Sequence, residues 1–243
     1  MGSEMCIRDR SSRISHHAYG EESLIFHPYI SIIIPTVVGG HLMEKKLRNL
    51  FSLNYPLERV ELIIVDSSNR PFHIPKGKKV MGIKVIRQKR LGKPAALNRG
   101  IEASKNDIVV ITDDDAILDS DALTRLVAPF SNPEIGAVVG DVRLGGKGTL
   151  NKMNSSFYSI FRNSLRKYES KLDSVSFTSG ELFAFRKSIV SYIDPKILSD
   201  DLYILFETRK KGYKVVACNA KVYEADVSSL QGQIDHKRRT MIG

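Results

Sequence analysis

Ile108-Val-Val-Ile-Thr-Asp-Asp-Asp-Ala-Ile117 runs a β-branched apolar stretch straight into three carboxylates. The apolar part reads as a buried strand, and the acids then sit where that strand emerges. In an open α/β sheet ligands bind just beyond the carboxyl ends of the strands. Side chains alternate along an extended chain, which puts Asp113 and Asp115 on one side and Asp114 on the other. Two like charges so close call for a cation. Oxygen-only donors suit Mg²⁺ or Mn²⁺, with substrate phosphates completing the shell. Two readings stay open here. One is a metal–diphosphate clamp with Asp113 and Asp115 as metal ligands. The other is a solvated acidic turn capping the next helix near Asp119 or Asp121.

The flanking segments decide what kind of sheet this strand belongs to. Tyr29–Ile34, ended by Pro35, and Val60–Val65, followed by Asp66, read as further buried strands; Met81–Ile86 and Ile135–Val142 read as two more. Between them, His41–Leu53 carries an apolar stripe with Lys45, Lys46 and Arg48 outward, and Lys93–Ala103 and Ala122–Phe130 read as helices. Strands alternating with helices predict an α/β fold, a doubly wound and mostly parallel sheet flanked by helices. Further on, Met153, Phe157, Phe161 and Leu165 mark a long amphipathic helix, and Val175–Glu181 a short strand entering a polar turn. Ser199 opens a helix that Gly212 closes, Tyr213–Ala217 and Lys221–Ala225 read as two short strands, and a basic helix-like segment runs to Gly243.

Composition bounds the function. The chain has 243 residues with 42% hydrophobic and 26% charged content, enough to bury a core, and a net charge of +10. That charge would suit nucleic acid, a phosphate-rich ligand or an anionic membrane surface. The basic residues are scattered and lack the aromatic interleaving of a single-strand-binding surface, so no nucleic-acid partner is expected. Cys6 and Cys218 imply no disulfide framework, which fits a reducing compartment, and the histidines show no zinc-ligand spacing. No apolar run is long enough to span a bilayer. Residues 1–28 show no periodicity and no signal-peptide core, and read as a disordered or non-native segment. One domain is expected over 29–243, with a nucleotide-binding half at 29–143 and an acceptor-binding half at 144–243. The basic end leaves room for a C-terminal continuation.

Taken in order, the motifs resemble family 2 glycosyltransferases of the GT-A fold. Ile32-Ile-Ile-Pro35-Thr36 is similar to the family's opening strand, Leu62-Ile-Ile-Val-Asp66 to its second strand, and Gly92-Lys93-Pro-Ala-Ala-Leu-Asn98-Arg-Gly100 to its GK-x-x-ALN-x-G segment. Asp113-Asp114-Asp115 matches the DXD motif. Ser179-Gly180-Glu181, with Phe185-Arg186 after it, resembles the acceptor-side turn. Ser199-Asp200-Asp201-Leu202 with Gly212-Tyr213 resembles the ED-x-x-L…GY segment. Two features depart from the pattern. Asp66 is followed by Ser67 rather than a second acid. The Q-x-x-R-W motif of processive members is not matched, since the chain has no tryptophan.

The resemblance implies an inverting, metal-dependent transfer of sugar from a nucleoside-diphosphate sugar, UDP-linked in preference to GDP-linked, to a hydroxyl on a glycan or lipid. It casts Asp201 as general base with Asp200 as second choice, and Asp113 and Asp115 as holders of Mg²⁺ or Mn²⁺. It places Pro35, Thr36, Asp66, Lys93, Asn98, Asp113 and Asp114 around the nucleotide, Gly180 and Glu181 at the acceptor, and Arg238 and Arg239 on the leaving diphosphate. It also implies a cytoplasmic protein, peripheral to the membrane's inner face or anchored there C-terminally. The rivals are a strand-D-x-D phosphatase, a nucleotide-sugar pyrophosphorylase, a dehydrogenase, a degenerate nucleotide-sugar-binding module and a basic surface-binding domain. Three strands precede the acids, and neither a glycine-rich loop after strand one nor a G-x-G-x-x-G is present, which argues against the first three.

Overall fold

Alternate residues of the first strands point into two different cores, and that alternation builds the fold. The computed structural model describes residues 26–75, 80–144, 161, 164–166, 168–170, 173–175, 180–197 and 199–224. Strand β1 (Ile30–Thr36) lies between β2 (Val60–Asp66) and β4 (Ile108–Thr112), parallel to both, and β3 (Gly82–Arg87) flanks β2. Every residue of β2 and β4 is buried, as continuous β-branched runs in central parallel strands should be. Ile32, Ile34, Leu62, Ile64 and Val110 face one core, with helices α1 (Gly40–Phe51) and α3 (Ala122–Val127). Ile33, Ile63, Val65, Val109 and Ile111 face the other, with α2 (Lys93–Ala103) and α4 (Asp200–Lys210).

The chain continues through β5 (Ala116–Leu118), β6 (Ile135–Leu144), β7 (Leu182–Arg186) and β8 (Lys214–Glu224), and the sheet order is β3-β2-β1-β4-β7-β6-β8-β5. After β1 the chain moves outward through β2 and β3, then returns to place β4 on the opposite side of β1. The crevice between the ends of β1 and β4 is therefore a topological switch point, and the three acids stand at it.

Several expectations are revised within a sheet that is mostly parallel, as expected. Strand β5 runs antiparallel to β8, and β7 antiparallel to β4 and β6. The segment read only as an acceptor-side turn contains that strand, and Phe183 and Phe185 from it enter the second core. The two short strands expected near the end are one strand, β8, whose pairing with β6 shifts register between Val139 and Asp141; a bulge there interrupts the pattern. The helix from Ala122 tightens to a 3₁₀ turn at Ala128–Ser131, where Pro129 has no N–H to continue it. Phe26 lies against the first core, and the Tyr55 hydroxyl donates to the Pro28 carbonyl at 2.5 Å. Most of the expected helix at 153–172 lies outside the described residues. Among the described residues no helix is long and apolar enough to cross a membrane.

Lys46 is the largest revision. Its charge suggested an outward position, yet it is 0% exposed. It stands three residues after Met43 and four before Leu50, on the buried face of α1.

Close packing of α2 on β1 depends on Gly100. A Cβ there would lie 2.4 Å from Cγ2 of Ile33, a fully buried and conformationally stiff side chain. Gly100→Ala gains about 1 kcal/mol of helix propensity, but overpacking costs about 1–3 kcal/mol. We expect a lower urea midpoint with an unchanged slope. A raised midpoint would show that Ile33 gives way freely.

Candidate active site

The three acids do not continue β4 in extended form. Ala116 N–H donates to the Asp113 carbonyl at 3.4 Å, closing a tight turn between β4 and β5. Side-chain partners still separate neighbouring acids. Asp113 Oδ1 lies 2.9 Å from Lys93 Nζ, and Asp114 accepts a short hydrogen bond from the Thr36 hydroxyl. Lys93 opens α2, and Thr36 ends β1. Thr36 Oγ1 also accepts the Gly39 N–H at 3.0 Å, so one hydroxyl ties the loop entering α1 to the acid loop.

Beneath the loop sits Lys46. Its Nζ donates to Thr112 Oγ1 at 2.8 Å and to the Ala116 carbonyl at 2.5 Å, gripping the residues on either side of the acids. Burial pushes this lysine down to about 7, against the opposing pull of the Asp113, Asp115 and Asp114 carboxylates. Sequence reasoning missed it because residue type was allowed to decide its side of the helix. The signal available was its spacing from Met43 and Leu50.

The second half of the chain closes over the acids. Asp113 N–H donates to the Glu181 carbonyl at 3.4 Å, which brings the turn before β7 against the acid loop. Gly180 in that turn has φ +80°, and a Cβ on it would lie 3.5 Å from Asp201 Oδ2 and 3.9 Å from Lys93 Nζ. Asp201 and Lys93 thus border the same glycine face. Asp201 Oδ1 accepts from Ser199 Oγ at 2.5 Å and from the Leu202 N–H at 2.9 Å. Ser199 stands at the N-cap position of α4, but its hydroxyl serves Asp201 rather than a backbone N–H. Asp200 points inward, 8% exposed, and its Oδ2 has no hydrogen-bond partner among the described residues. Burial holds its carboxyl above the usual range. Burial also pulls the Lys93 ammonium down, but Asp113 and then Asp200 outweigh it and hold the ammonium above the ordinary lysine range.

Beside the acid loop, a cleft of about 910 Å³ opens at the ends of β2 and β3. Asp66 lines it, with Oδ1 accepting the Ser68 N–H at 2.8 Å. Arg70, Arg87, Lys89 and Arg90 line it too, so positive charge gathers there. Asn98 differs from expectation. Its amide exchanges two 2.7 Å hydrogen bonds with the backbone of Ile193 and bonds nothing in the acid loop. Pro35 lies past Ile33, where the β1–β4 pairing has ended, so its missing N–H leaves no gap on that side. Arg238 and Arg239 lie outside the described residues. Among the described residues no group of three or more His, Cys, Asp or Glu forms a metal cage. Asp113 and Asp115 instead offer the few hard oxygen donors that Mg²⁺ or Mn²⁺ shares with a diphosphate.

Asp114 carries a pH signature. Burial raises its carboxyl to about 6 from an ordinary 3.8; the Thr36 hydrogen bond opposes this, while Asp115 and Asp113 add to it. Between about pH 4 and 6 the folded state therefore binds more protons than the unfolded state, and stability falls as pH rises through that window. Asp114→Asn keeps an acceptor for Thr36 and removes the charge. Urea unfolding in metal-free buffer is expected to show a flatter stability profile between pH 4 and 6 for this variant. A profile as steep as the parent's would assign the titration to another group.

The chain matches the family model "Glycosyl transferase family 2" over residues 31–193. It is 30% identical over 195 residues to poly-β-1,6-N-acetyl-D-glucosamine synthase of Staphylococcus aureus strain COL; the match covers 76% of this chain and 47% of that protein. The chain thus spans about half the length of the curated relatives it matches. Among solved structures it is similar to the mannosyltransferase PcManGT of Pyrobaculum calidifontis in complex with GDP-Man and Mn²⁺. The TM-score there is 0.72 with 26% identity, covering 89% of this chain and 62% of that one. Staphylococcus aureus TarS, at 14% identity and TM-score 0.57 over 88% of this chain and 39% of that one, shares the fold. The order of motifs, the switch-point acids and the family match agree: the chain belongs to glycosyltransferase family 2 and has the GT-A fold.

Proposed function

We propose that this domain catalyses inverting transfer of a sugar from a nucleoside-diphosphate sugar to a hydroxyl of a glycan or lipid acceptor. The observation that carries this reading is the convergence at Gly180. Lys93, already paired with the DXD acid Asp113, and the acid Asp201 border one glycine face, although they come from α2, the acid loop and α4. A donor lying along the switch point would place its nucleoside in the cleft with Asp66, Pro35 and Thr36, and its diphosphate at Asp113 and Asp115. Mg²⁺ or Mn²⁺ held by Asp113 and Asp115 would neutralise charge on the leaving diphosphate.

The remaining roles fall to the chain's own groups. Asp201 Oδ1 is engaged by Ser199 and Leu202, so Oδ2, beside Gly180, takes the acceptor proton. The acceptor oxygen then bonds to the anomeric carbon, and the bond to the diphosphate breaks with its electron pair leaving on that group. Glu181 and Gly180 border the acceptor's approach. Asp200 keeps Lys93 charged from inside and is the lesser candidate for base. Arg238 and Arg239 add positive charge at the diphosphate. UDP-N-acetylglucosamine is the first donor to test, on the strength of the synthase relatives; GDP-mannose is the second, after PcManGT. We place the protein at the cytoplasmic face of the membrane, where a lipid or nascent glycan acceptor is available.

Calorimetric titration with UDP and GDP, with and without Mn²⁺, tests the donor site. We expect UDP to bind more tightly with Mn²⁺, and Asp115→Ala to abolish that gain. Asp201→Asn should leave nucleotide affinity intact while lowering turnover by about 10²–10⁴. No binding of either nucleotide to folded protein would overturn the reading in favour of a degenerate module or a basic surface-binding domain.

A further inference from the structure

The proposed reaction makes no use of Lys46, and its burial is otherwise hard to account for. An ammonium without water is unfavourable unless it is paired and hydrogen-bonded. A methionine of similar length would fill the same space on α1 without that penalty. The two hydrogen bonds of Lys46 end on Thr112 and Ala116, the residues just before Asp113 and just after Asp115. Charged groups that act on it from the neighbouring loop are Asp113, Asp115 and Asp114, all negative. Viewed from the substrate side, these carboxylates would repel an incoming diphosphate. Lys93 answers that repulsion at Asp113 from the side, and Lys46 answers it from beneath.

We propose that Lys46 is a built-in counter-cation of the donor site, a positioning residue whose charge offsets the Asp113–Asp115 carboxylates so that a nucleoside diphosphate can settle there with less dependence on a metal ion. This rests on the donor-site reading above. The proposal concerns charge rather than the hydrogen-bonded clasp, and two substitutions separate those roles. Lys46→Met removes charge and hydrogen bonds. Lys46→Gln removes the charge and keeps a donor for Thr112 or Ala116.

The test is UDP affinity of the intact chain by calorimetry, in EDTA and in saturating Mn²⁺, at pH 6.5, below the value of about 7 to which burial lowers the Lys46 ammonium. The readout is the ratio of the two affinities. With the counter-cation gone, metal-free binding weakens and Mn²⁺ has more charge to neutralise, so the ratio should rise about tenfold in both variants. Circular dichroism and melting temperature show whether the apo variants are folded. If Lys46→Met fails to fold, Lys46→Gln carries the test alone; if Lys46→Gln fails to fold, the role is structural and the proposal is overturned. An unchanged ratio in both overturns the proposal, as does a parental ratio in Lys46→Gln, which would assign the role to the clasp. Loss of folding in both also overturns it, making Lys46 structural. A parent chain that is folded and binds no UDP overturns the donor-site reading, and this inference with it; parental binding with unshifted ratios overturns this inference alone.

Discussion

Three consecutive carboxylates leave a buried strand at the point where the sheet reverses its order, and they cannot all be diluted in water. The site is organised by how each of them is answered. Asp113 takes Lys93 from the first turn of α2. Asp114 turns back to the Thr36 hydroxyl at the end of β1 and holds its proton up to about pH 6. Lys46 reaches beneath from α1. The partners come from β1, α1 and α2, separate in sequence and adjacent only because β1 and β4 are neighbours. Electrostatics at one loop thus ties together elements that the hydrophobic cores bring near but do not align.

Legibility in the sequence followed a physical division. Strands β1, β2 and β4 could be read because both faces of a central parallel strand are buried, which leaves an unbroken β-branched run. The acids could be read because they follow such a run. Strand β7 was harder: Leu182–Arg186 is short, follows a polar turn, and joins the sheet through antiparallel pairing with β4, some seventy residues earlier. Asn98 was unreadable for a related reason. Its partner Ile193 lies 95 residues away, and an amide says nothing about distant backbone. Lys46 was misread because charge is a good guide to exposure only where nothing polar waits inside.

The basic excess of the chain also acquires a place. Arg70, Arg87, Lys89 and Arg90 are scattered along the sequence. Folding brings them to the cleft that contains Asp66. Four cations around one carboxylate leave the cleft positive on balance. Negative charge at the loop and positive charge at the cleft give the crevice a polarity.

The paired acids at the start of α4 show how a local explanation can be tested by geometry. Acids in a first helical turn are favoured by the helix dipole, and a preceding serine is a good cap. Those rules would account for Ser199, Asp200 and Asp201 with no function at all. The cap they require is not made: Ser199 donates to Asp201, and Asp201 accepts its own turn's Leu202 N–H. One oxygen of Asp201 is thereby fixed and the other is set beside Gly180, whose left-handed backbone and missing side chain keep that space open. Asp200, the better buried of the two, faces inward. Two adjacent carboxylates of the same type are thus divided by burial into one that acts on Lys93 from inside and one with an oxygen beside Gly180.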